Sequence, residues 1–416
     1  MFEWFRLRNF LTHTDTRVEL GPLTLLLGGN NSGKTNFLRG VRLFAELAHR
    51  GTPEALGGDD REALLRADDL FPYRHRLAHE SAPMALSCRW RDDDGVVEYE
   101  VELFPAPELD GGVGCRERVE ITPVTGEPTV ETSGTHDPSG YLCLQTALGP
   151  VRTDEEQTLL PLFFSDLAGI RSYDLQPSAL RERLGEDADI PTAAGESRRY
   201  PLGAEGEGLH TALSAMRMIG TGMFDRVVAR MQRFEPTFRS VSFNGGTSEA
   251  RWLFDVGHPG GRLEEFAPDA VSDGLLRAAA VAVLASTQFP PALMMLEEIE
   301  NGVSQSNLSN LIGWLRQAAG PGGTAGRGYN TQFILTSHSV GVLREFAGHL
   351  EDVYHFRLQR QGYRSAVVRM SEALRTLADL GTVDGEPVTG RDGIESIAIT
   401  PARLTELWFS GTIGGA

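Results

Sequence analysis

The stretch Gly28-Gly29-Asn30-Asn31-Ser32-Gly33-Lys34-Thr35 has the residue types and spacing of a phosphate-binding loop. It follows the apolar run Leu23–Leu27 and precedes a helix-compatible run from Asn36 to Arg50, which is the strand, loop and helix order such a loop needs. Gly28 and Gly33 let successive backbone N–H groups curl round an anion without interference from a Cβ. A helix N-terminus adds unpaired donors and a partial positive charge. Lys34 can neutralise terminal phosphates, and the Thr35 hydroxyl can hold Mg²⁺. Lys34 is the only lysine in the chain; arginine is used everywhere else. A compact charge on a flexible stem is kept at the one place that requires it.

Two later stretches supply what a bound nucleotide would need. Ala292–Leu296 is wholly apolar and ends in Glu297-Glu298. A buried parallel strand that delivers two carboxylates at its C-terminal end is a Walker B arrangement. Glu297 is then a Mg²⁺ ligand, and Glu298 a general base for an attacking water. Thr331–Thr336 reads as a second buried strand, ending in Ser337-His338-Ser339. His338 there can reach a terminal phosphate. Upstream, Ser272-Asp273-Gly274 precedes an apolar helix over 275–287; it is at least an N-cap, and it also offers an open anion site.

The elements that must position these groups can be read coarsely. Residues 3–10 alternate as a strand, with Thr16–Leu20 as the second arm of a hairpin. Strands are expected at 84–90 and 96–104, joined by Arg91-Asp92-Asp93-Asp94-Gly95. That acidic run reads as a turn in preference to a metal site. A further pair is expected at 115–122 and 128–132, a short helix at 61–67, and a helical pattern over 165–184. Leu209–Arg233 reads as a helix broken near Gly220–Gly222, with its methionines as packing residues, followed by strands at 238–243 and 250–256. The expected organisation is residues 1–50 as hairpin and phosphate loop, 51–160 as an acidic antiparallel β insertion and 161–260 as a helical region with short strands. Residues 261–370 then form a second lobe, and 371–416 a tail.

Composition narrows the class. The chain has 416 residues, 41% hydrophobic and 23% charged, with a net charge of −18. This is a globular composition and a poor generic coat for nucleic acid. Residues 1–50 carry seven basic and four acidic groups, against six and fifteen over 51–110, so a local basic face on the first lobe is the exception to look for. No signal peptide or membrane-spanning run is read, and three cysteines without a C-x-x-C pair suit a reduced cytoplasm.

Taken together, Asn9-Phe10-Leu11-Thr12, Gly28–Thr35, Ser272-Asp273-Gly274, Leu296–Gly302 and Thr336–Ser339 resemble ABC-type ATPases of the RecF, SMC and OLD branch, among them the standalone AAA-type ATPases of prokaryotic defence loci. The tail Glu406–Gly415 is similar to the ending of such standalone members. The resemblance implies an α/β P-loop NTPase of ABC-ATPase type, with a mixed central sheet, an antiparallel β lobe and an inserted α/β region. It implies ATP and Mg²⁺ as ligands, held by Gly28, Asn30, Asn31, Ser32, Gly33, Lys34, Thr35 and Asn36, with Thr12 or His13 near the adenine and Gln145 as a Q-loop metal contact. It implies catalysis by Lys34, Glu298 and His338. It further implies a homodimer or higher oligomer in which Ser272-Asp273-Gly274 of one protomer meets the ATP of the other. Hydrolysis would then switch a separate effector, with a TOPRIM-like nuclease or DNA as candidate partners and no membrane. Two departures stand out: Glu297-Glu298 replaces Asp-Glu, and Ser304-Gln305 replaces a His-Pro pair. The alternatives are a non-hydrolysing ATP-dependent scaffold and, against the short Ser-Asp-Gly signature, the ATPase subunit of a transporter.

Overall fold

The computed structural model describes residues 1–49, 70–79, 82–109, 112–125, 127–135, 154–182, 202–243, 250–257, 261–320, 331–390, 393 and 395–413. The expected helix at 61–67 and Gln145 lie outside these residues. Contacts divide the chain into two compact units, residues 1–170 with 346–416, and residues 171–345.

In the first unit, β1 (Phe2–Phe10) and β2 (His13–Glu19) form the expected hairpin. It does not stand alone. β4 (Met84–Asp92), β5 (Gly95–Pro105), β6 (Val113–Pro123) and β7 (Thr129–Thr132) continue it into one antiparallel sheet of order β2-β1-β4-β5-β6-β7. Asp93-Asp94 is the turn between β4 and β5, with Asp92 opposite Gly95. The apolar face is covered by α1 (Lys34–His49) and α2 (Asp154–Ala168). Phe44 stacks on Tyr99 at 5.6 Å between centroids, and Tyr99 meets Phe163 edge-on at 5.7 Å. Buried Trp90 donates its indole N–H to Asp166 at 2.9 Å, so the largest core ring keeps a polar partner.

β3 (Leu23–Leu27) is buried at every position and runs parallel to β14 (Val353–Gln359), which pairs antiparallel with β15 (Arg364–Arg369). α9 (Met370–Asp379), the pair β16 (Pro387–Thr389) and β17 (Glu395–Ile397), and α10 (Pro401–Phe409) complete the unit.

The second unit has a parallel arrangement in which β12 (Leu293–Leu296) lies between β8 (Arg171–Tyr173) and β13 (Gln332–Ser337). The helical pattern read over 165–184 is displaced: α2 ends at Ala168, β8 follows, and only Pro177–Arg181 (α3) is helical again. Pro177 at the first turn explains the restart, since its fixed φ suits a helix start and its missing N–H is not needed there. α4 (Leu209–Ile219) and α5 (Met223–Phe234) are separated where expected, with Gly220 and Gly222 both left-handed. α6 (Asp273–Leu284) is buried at every position from Leu275 onward except Arg277, the signature of a helix enclosed on all sides. α7 (Gln305–Ala319) and α8 (Val340–Arg344) complete the helices. β9 (Phe238–Phe243), β10 (Ala250–Val256) and β11 (Arg262–Phe266) form a small antiparallel sheet around Trp252 and Phe238. Among the described residues no helix is long and apolar enough to cross a membrane.

Candidate nucleotide site and its comparison with known proteins

Each unit carries a cluster of the sequence-predicted residues. In the first, β3 leads into the loop and α1 begins at Lys34. Close packing fixes the glycines. A Cβ on Gly28 would stand 2.3 Å from the Phe356 carbonyl oxygen, and one on Gly33 2.0 Å from Ser365 Oγ. Gly33 also has φ +107°, where a side chain is strained regardless of space, and Asn31 is left-handed at φ 61°. Lys34 is buried and donates from Nζ to the carbonyls of Gly28 (2.6 Å) and Gly29 (2.9 Å). Gly29, Asn30, Asn31 and Thr35 are exposed.

Thr12 and Asn36 take part in a polar relay. Asn36 Nδ2 donates to Thr12 Oγ1 (3.1 Å), Thr12 meets Ser365 Oγ (2.7 Å), and Ser365 Oγ donates to the Ser32 carbonyl (2.8 Å). Since Ser365 spends its hydrogen on Ser32, Thr12 is the donor to Ser365. Strand β15 thus holds the phosphate loop from a point 333 residues away in sequence. His13 does not present a face to an adenine; it is wholly buried, between Phe37 and Phe356. Its Nε2 lies 3.1 Å from the Gly33 carbonyl and its Nδ1 2.9 Å from Thr16 Oγ1. The carbonyl can only accept, so Nε2 carries the hydrogen and Nδ1 accepts from Thr16. Burial lowers the His13 pKa to about 4, against a smaller raising effect of the Gly33 bond.

These residues fit a polyphosphate. Two positions exclude a Cβ, Thr35 is exposed at a helix N-terminus, and the buried Ser32 hydroxyl has no hydrogen-bond partner among the described residues. Within this unit, the Thr35 hydroxyl is a group of the chemistry that Mg²⁺ takes.

In the second unit, Glu297 and Glu298 follow β12, and His338 follows the adjacent strand β13. The Glu297 N–H donates to the Tyr173 carbonyl (2.9 Å), continuing the β12–β8 pairing one residue past the strand. Glu298 follows in the left-handed region at φ 46°, an uncommon conformation for a side chain of this size. Its N–H donates to Thr336 Oγ1 (3.0 Å), and its exposed carboxylate accepts from Asn301 Nδ2. His338 lies beyond β13 with a half-exposed side chain. Its backbone N–H and ring Nδ1 both face Glu300 Oε1, at 2.8 and 3.1 Å, and Ser337 Oγ donates to the same oxygen at 2.8 Å.

Ser272 is the N-cap of α6, exposed and without a side-chain capping bond. Asp273 is paired with Arg181 of α3 at 2.6 Å, and Arg181 also donates to the Val271 carbonyl at 2.8 Å. A Cβ on Gly274 would stand 2.1 Å from the Gly302 carbonyl oxygen. Glycine is therefore required here by an internal contact, whatever approaches from outside.

Residues 152–344 match the family model described as "AAA domain, putative AbiEii toxin, Type IV TA system". The matched segment nearly coincides with the second unit. None of the curated proteins matches the chain. Among solved structures, the SMC head domain from Thermotoga maritima is similar at 13% identity and a TM-score of 0.40, covering 88% of this chain and 98% of that one. An SMC head bound to the C-terminal winged-helix domain of ScpA is similar at 12% identity and 0.46, covering 89% and 99%. An SMC head with an extended coiled coil, bound to the C-terminal domain of ScpA derived from Pyrococcus furiosus, is similar at 12% and 0.43, covering 91% and 99%.

Sequence reading assigns no role to Glu300, Asn301, Arg181 or Ser365, although the first two fall in the Leu296–Gly302 stretch that carries the resemblance. Glu300 and Asn301 carried a signal, a carboxylate and an amide closely following Glu298; Arg181 and Ser365 act through the fold and carried none.

Proposed function

We propose that this chain binds ATP with Mg²⁺, hydrolyses it, dimerises around it, and acts as a switch on a separate effector in anti-phage defence or DNA repair. The observation that carries the hydrolytic part is the joint end of β12 and β13. Glu298 is tied to Thr336 there, and His338 to Glu300, so a candidate base and a candidate phosphate contact share one hydrogen-bonded frame. In this reading Lys34 and Thr35 serve the phosphates and metal, Glu297 orients Mg²⁺, Glu298 takes the proton of the attacking water and His338 steadies the terminal phosphate. Ser272-Asp273-Gly274 serves the ATP of a second copy, so each site is completed by dimerisation. The matched family's description names a putative toxin of a type IV toxin–antitoxin system, which supports a defence role. A TOPRIM-like nuclease and DNA are the candidate partners.

The test is steady-state ATP turnover together with light-scattering mass, for the native chain and Glu298→Gln. The expected result is hydrolysis by the native chain, its loss in the variant, and an ATP-dependent dimer of the variant. A native chain that binds ATP without turnover, alone and with DNA, would leave a nucleotide-dependent scaffold. Equal turnover in both would remove Glu298 from the role of base.

A further inference from the structure

We propose that Glu300 is a positioning residue that fixes both the ring and the tautomer of His338. The proposal rests on the hydrolytic reading above, in which His338 faces the terminal phosphate. Three donors converge on one oxygen, Glu300 Oε1: the Ser337 hydroxyl, the His338 backbone N–H and the His338 ring Nδ1. The Glu300 side chain is only 8% exposed, and its second oxygen, Oε2, is buried without a hydrogen-bond partner among the described residues. A buried carboxylate with one oxygen unsatisfied is a costly way to hold a strand end. A hydroxyl there could donate to Nδ1 as well as accept; an oxygen that can only accept, as in a carboxylate or a carboxamide, requires Nδ1 to carry a hydrogen.

That requirement sets the chemistry at the other side of the ring. With Nδ1–H committed to Glu300, a neutral His338 presents the Nε2 lone pair outward, and a protonated His338 presents Nε2–H. Among the described residues Nε2 has no partner, and the side chain is about half exposed, so this edge is free to meet a ligand. Without Glu300 the ring can rotate, and the intrinsic preference of imidazole for a hydrogen on Nε2 returns. Asn301, the next residue, holds the Glu298 carboxylate in the same manner, so two neighbouring side chains each orient one of the two groups assigned to the reaction.

The experiment uses the full chain labelled with ¹⁵N-histidine, with His338→Ala identifying the His338 signals, and compares the native protein with Glu300→Gln and Glu300→Ala. Native His338 should show the Nδ1–H pattern in its ring nitrogen shifts. Glu300→Gln, which keeps an acceptor oxygen, should preserve that pattern and most of the activity. Glu300→Ala should lose it, with kcat falling about 10- to 100-fold and KM for ATP moving less than about threefold. An unchanged nitrogen pattern in Glu300→Ala overturns the proposal, as does a fall in Glu300→Gln as deep as in Glu300→Ala. Thermal unfolding screens both variants for loss of fold, and the near-isosteric Gln variant keeps the test open if the Ala variant fails to fold. Should the native chain show no ATP turnover, the hydrolytic reading fails, while the nitrogen shifts still decide whether Glu300 holds the ring.

Discussion

The phosphate loop and the strand end bearing Glu298 are held in opposite ways. Around the loop, space is the constraint: Gly28 and Gly33 are wedged against Phe356 and Ser365, and His13 is buried and neutral beneath them. Around Glu298, polar contacts do the positioning, joining exposed Glu298 and half-exposed His338 to buried Thr336 and the buried side chain of Glu300, and the backbone tolerates a left-handed residue. Adding atoms should therefore break the first region, while exchanging isosteric groups should alter the second without unfolding it.

The largest effect is expected for Gly33→Ala. Its new Cβ meets Ser365 Oγ in a backbone conformation unsuited to any side chain, so binding of a fluorescent ATP analogue should be lost and stability should fall by about 3 kcal/mol or more. Adding Ser365→Gly should recover only the steric part, because φ is unchanged. Full recovery of binding in the double variant would show that the backbone angle is unimportant. Next comes Glu298→Gln, for which turnover should fall about 10²- to 10⁴-fold while the melting temperature moves by no more than about 2 °C. A large drop in melting temperature would erase the contrast between the two regions.

A third test uses pH. The folded-state pKa of His13 is lowered to about 4, from an ordinary value of 6.5, chiefly by burial. His355 is likewise lowered to about 4, first by burial and then by Arg357 and Lys34. Between pH 6.5 and about 4 the unfolded chain binds protons that the folded chain refuses, so stability must fall as pH falls through this window and level off below it. The His13 contribution is on the order of 3 kcal/mol, measurable as denaturant midpoints across pH. A flat profile would mean that the packing beneath the loop opens to admit a charge.

The smallest effects concern arginine. On the antiparallel sheet, Arg6 pairs with Asp15, Arg8 with Glu100, and Arg89 with Glu3 and Glu98. On α5, Arg226, Arg230 and Arg233 form no ion pair among the described residues, and the pKa of Arg230 is lowered to about 10 by burial and by those two neighbours. Arg8→Ala should destabilise by less than about 1 kcal/mol, an effect that shrinks in salt. Arg226→Ala and Arg233→Ala should be neutral or stabilising by about 0.5 kcal/mol. Urea midpoints at low and high salt separate the two cases.

These pairings show where the sequence was legible and where it stopped being so. The seven basic groups of residues 1–50 suggested a basic face, yet Arg8 is neutralised by Glu100 of β5, which becomes its neighbour only once the sheet is assembled. Local physics was readable: the strand, loop and helix order around residues 28–35, the Asp-rich turn, the break at Gly220–Gly222 and the strands at 238–243 and 250–256 all depend on nearby residues. The β14–β15 hairpin was not read, and with it went Ser365, whose contact with Thr12 spans 353 positions. Strand β8, only three residues long, owes its pairing to β12, which lies far along the chain, so no local pattern could announce it.

The solitary lysine has a practical corollary. Any reagent that modifies lysine has one target in this sequence, Lys34, whose Nζ is folded onto the Gly28 and Gly29 carbonyls. The rate of its acylation is therefore a direct gauge of how often the loop releases it. The mass shift of the peptide that carries Lys34, read with no mutation, reports on the loop.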